Sequence, residues 1–107
     1  MPPDEHDDST AITVGVVGAS GFTGAELLRL LAGHPRFEVT LVTAETQAGS
    51  TVGELYPHLA ASYGSMPLTR YEPGAASDCR LVFCCLPHGA SQAIVPGLLD
   101  GGAYVVD

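Results

Sequence analysis

Three short stretches hold residue types and spacings suited to chemistry. The first is Val14-Gly-Val-Val-Gly-Ala-Ser-Gly-Phe-Thr-Gly24, with glycines at 18, 21 and 24 and hydroxyls at Ser20 and Thr23. Glycines in such a turn let backbone N–H groups approach a pyrophosphate, and a helix that follows turns the positive end of its dipole toward the phosphates. Gly18 suits backbone angles closed to other residues, Gly21 leaves room for phosphate, and Gly24 lets the helix pack closely on the preceding strand. Two residues separate each pair of glycines, unlike the standard GxGxxG, and a strand–helix corner that merely needs glycine is the competing reading.

The second stretch is Thr43-Ala44-Glu45-Thr46. A carboxylate past the second strand of a dinucleotide fold bonds the ribose 2′-hydroxyl of NAD and repels the 2′-phosphate of NADP. Glu45 stands near that place, but Thr43 and Thr46 offer hydroxyls to a phosphate, and Arg36 or Arg70 can approach in space. Glu45 reads equally as a solvated loop residue. The third stretch, Leu86-Pro87-His88-Gly89-Ala90-Ser91, joins an apolar run to a helical one. Ligands of doubly wound sheets lie beyond the carboxyl ends of the strands, so this loop borders the cofactor, with His88 as a hydrogen-bond donor or simply a helix-starting residue.

These stretches need a frame. Ile12 to Val17 is a β-branched apolar run, read as a strand buried on both faces. Phe22 to Ala32 has helical spacing, with Gly24, Leu27, Leu28 and Leu31 on one face, and Gly33 and Pro35 stop it. Phe37 to Thr43 is a second strand, which completes a βαβ unit. The pattern weakens from Ala44 to Ala76, where only Met66 to Tyr71 suggests a strand. Arg80 to Leu86 is the next strand and His88 to Leu99 a helix, kinked or ended by Pro96; Ala103 to Asp107 is a further, buried strand. The fold class is α/β, a Rossmann-type doubly wound parallel sheet. Residues 11–107 form the dinucleotide-binding domain and residues 1–10 an acidic, disordered tail. A buried strand with nothing after it to cover the sheet suggests an incomplete domain.

The 107 residues are 46% apolar, enough for one core. The net charge is −8, and Asp4, Glu5, Asp7 and Asp8 place half of it in the first ten residues. With four arginines and no lysine, a nucleic-acid surface is not expected. Nothing resembles a secretory signal or a membrane span, so the chain reads as soluble and cytoplasmic. Cys79, Cys84 and Cys85 make no disulfide framework and no zinc spacing; the last two read as small hydrophobes in a buried strand. No Ser-His-Asp order, carboxylate pair or metal cluster stands out.

Taken together, GASGFTGAELLRLLAGHP, TAETQAGSTVGELYPHL and LPHGAS resemble the start of the N-acetyl-γ-glutamyl-phosphate reductase family over residues 12–107. The resemblance implies an NADPH-dependent oxidoreductase of arginine biosynthesis, cytoplasmic and homo-oligomeric when full length. Its small-molecule substrate is an acyl phosphate, reduced to N-acetylglutamate semialdehyde. A cysteine thiolate displaces phosphate, hydride from NADPH reduces the thioester, and a histidine assists proton transfer. Carried over, Gly18, Ser20, Gly21, Phe22, Thr23 and Gly24 match the phosphate turn. Thr43 and Ala44 match the adenosine-side loop, and Leu86, Pro87 and His88 the second cofactor loop. Glu45 departs from the small or basic residues usual there. The family's catalytic cysteine lies in a Gly-Cys-Tyr-Pro-like motif that these residues do not contain, so no catalytic residue is assigned and the isolated chain is expected to be inactive. Aspartate-semialdehyde dehydrogenase, a lysine-pathway carrier-protein reductase and a non-catalytic nucleotide-binding module are the alternatives.

Overall fold

A computed structural model describes residues 11–19 and 21–107, with the His88 side chain left out. The acidic stretch 1–10, read as a tail, and Ser20 fall outside the described residues. Four strands form one parallel sheet in the order β2-β1-β3-β4, where β1 is Ile12–Val17, β2 Phe37–Thr43, β3 Leu81–Cys84 and β4 Tyr104–Val106. Helix α1, Phe22–Ala32, connects β1 to β2, and α4, His88–Asp100, connects β3 to β4. Strand order reverses between β1 and β3. Both loops that leave those strands therefore open at the same crevice, the usual ligand position in such sheets.

Side-chain alternation explains the two layers. Val14 and Val16 face one side of the sheet and pack with Leu28 and Leu31 of α1 and Val39 and Val42 of β2. Val17 faces the other side, with Val82 and Cys84 of β3 and Leu98 of α4. A strand so covered is buried on both faces, as its continuous apolar run requires. Thr40 is extra in the β1–β2 pairing: Val14 pairs with Val39 and Gly15 with Leu41. At the end of α1 the Gly33 N–H donates to the Leu30 carbonyl and the His34 N–H to the Leu31 carbonyl, and the His34 ring stacks on Phe37 as β2 begins.

Several expectations change. Met66 to Tyr71 is not a strand. Its β-pairing is confined to isolated bridges, Thr43 with Thr69 and Thr51 with Pro67, and Pro67 has no N–H to continue a ladder. The stretch before it forms α2 (Val52–Leu55), a 3₁₀ turn (Pro57–Leu59) and α3 (Ala60–Tyr63). The third strand is shorter than Arg80 to Leu86, since Cys85 and Leu86 already leave the sheet. Helix α4 runs through Pro96 to Asp100. The last strand is an edge rather than buried: Tyr104 is 70% exposed and Val106 49%.

Candidate functional site

The glycine turn is built by close approaches that only glycine permits at two of its positions. Gly18 has φ +83°, where L side chains are strained. A Cβ there would lie 2.5 Å from Leu86 Cδ2, so the loop after β3 seats directly on the loop after β1. The Gly18 N–H donates to both the carbonyl and the Oγ1 of Thr43, each at 3.1 Å, and the Ala19 N–H to the same carbonyl at 2.8 Å. Gly24 meets the turn itself rather than the strand expected from the sequence: a Cβ would stand 2.4 Å from the Ala19 carbonyl oxygen.

Gly21 differs from both. It is the N-cap of α1, its φ of −101° suits any residue, and nothing lies within 4 Å of a Cβ built there. Gly21 has no side chain with which to cap the helix, and the first-turn amides of Phe22, Thr23 and Gly24 have no intrahelical acceptor. Phe22 and Thr23 are exposed, Phe22 at 84%. A helix start with glycine at its N-cap and open space around that glycine has the chemistry to receive an anionic group.

Beside it lies a mostly apolar crevice of about 360 Å³, lined by Val17, Glu45, Tyr71, Leu86, Ala90, Ala93 and Ile94. It borders the switch point, with Val17 from β1 and Leu86 from the loop after β3 in its mostly apolar lining. A larger depression of about 510 Å³ on Thr69, Arg70, Glu72 and Pro73 to Ala75 is open to solvent and touches none of the motif loops. Glu45 stands at the crevice rim. Its carboxylate accepts from the Tyr71 N–H at 3.2 Å and lies 3.5 Å from Arg70, so Arg70, not Arg36, is the cation that approaches it.

Thr43 and Ala44, expected on the adenosine side, are both about 1% exposed. Thr43 holds Gly18 and Ala44 bonds the Thr69 carbonyl at 2.9 Å, so these two shape the loop while Glu45 faces the crevice. Leu86 lines the crevice and Pro87 precedes α4 as its N-cap; His88 begins that helix.

Cys79 and Cys84 are buried and Cys85 is half-buried. Burial pushes the Cys84 thiol up, helped by the nearby Asp107 and Cys85, and burial alone pushes Cys85 up. Neutral thiols of this kind pack rather than attack. Two contacts were not legible as site features. Tyr56 reaches the carbonyls of Ala19 and Gly21, and Ser91, fully buried, donates to Asp107 Oδ1 at 2.6 Å and ties α4 to the end of β4. Sequence carries one weak signal for each: a tyrosine beside a proline turn, and a serine one turn into a helix.

Fold and loops together define a nucleotide-binding domain of the doubly wound α/β class. Residues 13–107 match the semialdehyde dehydrogenase NAD-binding domain, and the chain belongs to that family. It is 43% identical over 96 residues to an N-acetyl-γ-glutamyl-phosphate reductase of Saccharophagus degradans, a match covering 90% of this chain and 28% of that protein. It is 48% identical over 88 residues to a probable chloroplastic N-acetyl-γ-glutamyl-phosphate reductase of Arabidopsis thaliana, across 81% of this chain and 21% of that one. The chain thus spans about a quarter of the length of these relatives. Among solved structures, an aspartate semialdehyde dehydrogenase with NADP from Candida albicans superposes with a TM-score of 0.78 at 24% identity, over 90% of this chain and 29% of that one. A 3-ketoreductase with NADP and TDP-benzene from Actinomadura kijaniata gives 0.64 at 23%, over 91% and 28%. At such identities the likeness shows the fold.

Proposed function

We propose that residues 11–107 are the cofactor-binding part of an NADPH-dependent N-acetyl-γ-glutamyl-phosphate reductase, which reduces the acyl phosphate to N-acetylglutamate 5-semialdehyde in arginine biosynthesis. The observation that carries the reading is the extent of likeness to such reductases, 43% identity over 96 residues. The residues present fit the cofactor. Gly21 leaves space where a side chain would obstruct a phosphate, and the crevice beside it is apolar.

In this reading the amides of Phe22, Thr23 and Gly24 hold the pyrophosphate, with Gly18, Thr43 and Ala44 fixing the turn beneath them. Ser20, a hydroxyl residue of the same sequence motif, lies outside the described residues. The adenine enters between Leu86 and Ile94, and Glu45 with Arg70 borders the ribose. Leu86, Pro87 and His88 flank the cofactor from the second loop. Bound NADPH supplies the hydride. The buried Cys79 and Cys84 and the half-buried Cys85 pack against the core, and the nucleophile of the acyl transfer is not one of them. The whole protein is expected to be a homo-oligomer of the cytoplasm; among the described residues no helix is long and apolar enough to cross a membrane.

The test is turnover by the complete protein with NADPH and either N-acetyl-γ-glutamyl phosphate or aspartyl phosphate. The proposal expects the acetylated substrate to be reduced and the aspartyl one to be poor. Reduction of aspartyl phosphate alone overturns the substrate, and oxidation of NADPH with neither overturns the enzyme.

A further inference from the structure

Tyr56 lies far from the glycine turn in sequence, yet its hydroxyl rests on it. The hydroxyl bonds the Ala19 carbonyl and lies 2.8 Å from the Gly21 carbonyl. It has one proton to share between the two acceptors. The Gly21 carbonyl also receives the first bond of α1, from the Ala25 N–H at 3.1 Å. In a trans peptide the N–H points opposite to the carbonyl of the same plane. With Gly21 O drawn toward the Tyr56 hydroxyl, the Phe22 N–H of that plane turns outward.

We propose that Tyr56 is a positioning residue for cofactor binding: its hydroxyl fixes the Gly21–Phe22 peptide so that the first amide of α1 faces the dinucleotide pyrophosphate. This rests on the cofactor reading given above. The part-buried bond to the Ala19 carbonyl serves the fold, whereas the Gly21 contact is solvent-exposed and that carbonyl already has its helical partner. Water can satisfy its second lone pair without loss to the fold.

The tyrosine is itself firmly mounted. Thr51 and Glu54 form a reciprocal capping box, with Glu54 N–H to Thr51 Oγ1 at 3.2 Å and Thr51 N–H to Glu54 Oε1 at 2.9 Å. The Tyr56 N–H closes on the Val52 carbonyl at 2.8 Å, and Gly53 bonds the Gly64 carbonyl at 3.1 Å. A Cβ on Gly53 would sit 2.8 Å from that oxygen, so α2 is pressed onto the end of α3. The ring packs against the buried cluster around Val14 and Leu28. Burial, and secondarily Cys85, pushes the phenol up, which keeps it a donor throughout the neutral range. The irregular stretch after β2 thus acts as a mount that delivers one hydroxyl to the phosphate turn.

Tyr63 provides the control. Its hydroxyl also reaches back to α1, donating to the Leu28 carbonyl at 2.6 Å, but a full turn or more from the helix start. The experiment titrates NADPH, and separately adenosine 2′-monophosphate, which has no pyrophosphate, into the wild type, Tyr56→Phe and Tyr63→Phe, each checked for native circular dichroism. The expected result is a loss of about ten-fold in NADPH affinity for Tyr56→Phe. Adenosine 2′-monophosphate should bind all three proteins alike, and Tyr63→Phe should hold NADPH as the wild type does. The inference is overturned by undiminished NADPH affinity in Tyr56→Phe, by equal weakening of both ligands, or by an equal loss in Tyr63→Phe. A wild type that binds neither ligand overturns the cofactor reading and the inference with it. Binding by the wild type with no effect of Tyr56→Phe overturns the inference alone.

Discussion

Replacing Gly21 by alanine separates a glycine kept for folding from one kept for a ligand. The residue is extended, at φ −101° and ψ −177°, so alanine meets no backbone strain there. No heavy atom lies within 4 Å of the added methyl. The remaining effect on the fold is the modest preference of the N-cap position for glycine over alanine, under about 1 kcal/mol. Binding is a different matter. A phosphate oxygen must come within about 2.9 Å of an amide nitrogen, and a methyl on the open side holds it off. Loss of one charge-assisted hydrogen bond is worth about 2–3 kcal/mol, or roughly 30- to 150-fold in affinity. Thermal unfolding and a fluorescence titration with NADPH, on the same preparation, measure the two effects. The expected pair is a melting temperature within a few degrees of the wild type and an NADPH affinity lower by that factor. Full retention of NADPH affinity would refute the phosphate site at this helix start, and a large drop in melting temperature would refute the claim that the space at Gly21 is empty.

Gly24→Ala should do the opposite in stability: its methyl would lie 2.4 Å from a backbone oxygen, against about 3.4 Å for ordinary contact, so α1 must move by about 1 Å. Overpacking of about 1–3 kcal/mol, offset by up to about 1 kcal/mol of helix propensity, should lower the urea midpoint and weaken NADPH binding together. Glu45→Gln removes the carboxylate that Arg70 faces, and should improve the ratio of NADPH to NADH affinity by several-fold in paired titrations; an unchanged ratio would place the 2′-phosphate elsewhere. The Cys84, Cys85, Tyr56 and Tyr63 groups are all raised by burial, so the stability they contribute is complete below their unfolded values and is lost as pH climbs through the folded ones. Melting temperature should therefore fall from about pH 8.5 upward, where unfolded thiols begin to ionise, and the native thiols should resist iodoacetamide at neutral pH.

Local pattern was enough for the parts of the fold where one element explains itself. The β-branched run of β1, the i, i+3, i+4 apolar face of α1 and the Gly33 stop are visible in order, and the helix bounds agree with the reading from spacing. The turn was visible for the same reason, since Gly18 and Gly24 answer to contacts a few residues away or in the facing loop. What stayed hidden depends on distant partners. Met66 to Tyr71 has strand-like residues, but Pro67 and the irregular edge of β2 allow only bridges. Thr43 has the chemistry of a phosphate ligand and spends its hydroxyl on Gly18, twenty-five residues back. Tyr56 has no local signal beyond the proline turn beside it, because its role arises only when the loop after β2 folds back onto α1. Pro96 reads in sequence as a kink or end within the helix His88 to Leu99, and α4 runs through it to Asp100, with Leu98 buried against the sheet.

The most direct test of the account is a crystal structure with NADP⁺ bound. The account predicts the pyrophosphate against the amides of Phe22, Thr23 and Gly24, and the adenine in the crevice between Leu86 and Ile94 with its ribose beside Glu45 and Arg70. A nucleotide bound away from the glycine turn, or crystals that stay free of nucleotide at saturating concentration, would contradict it.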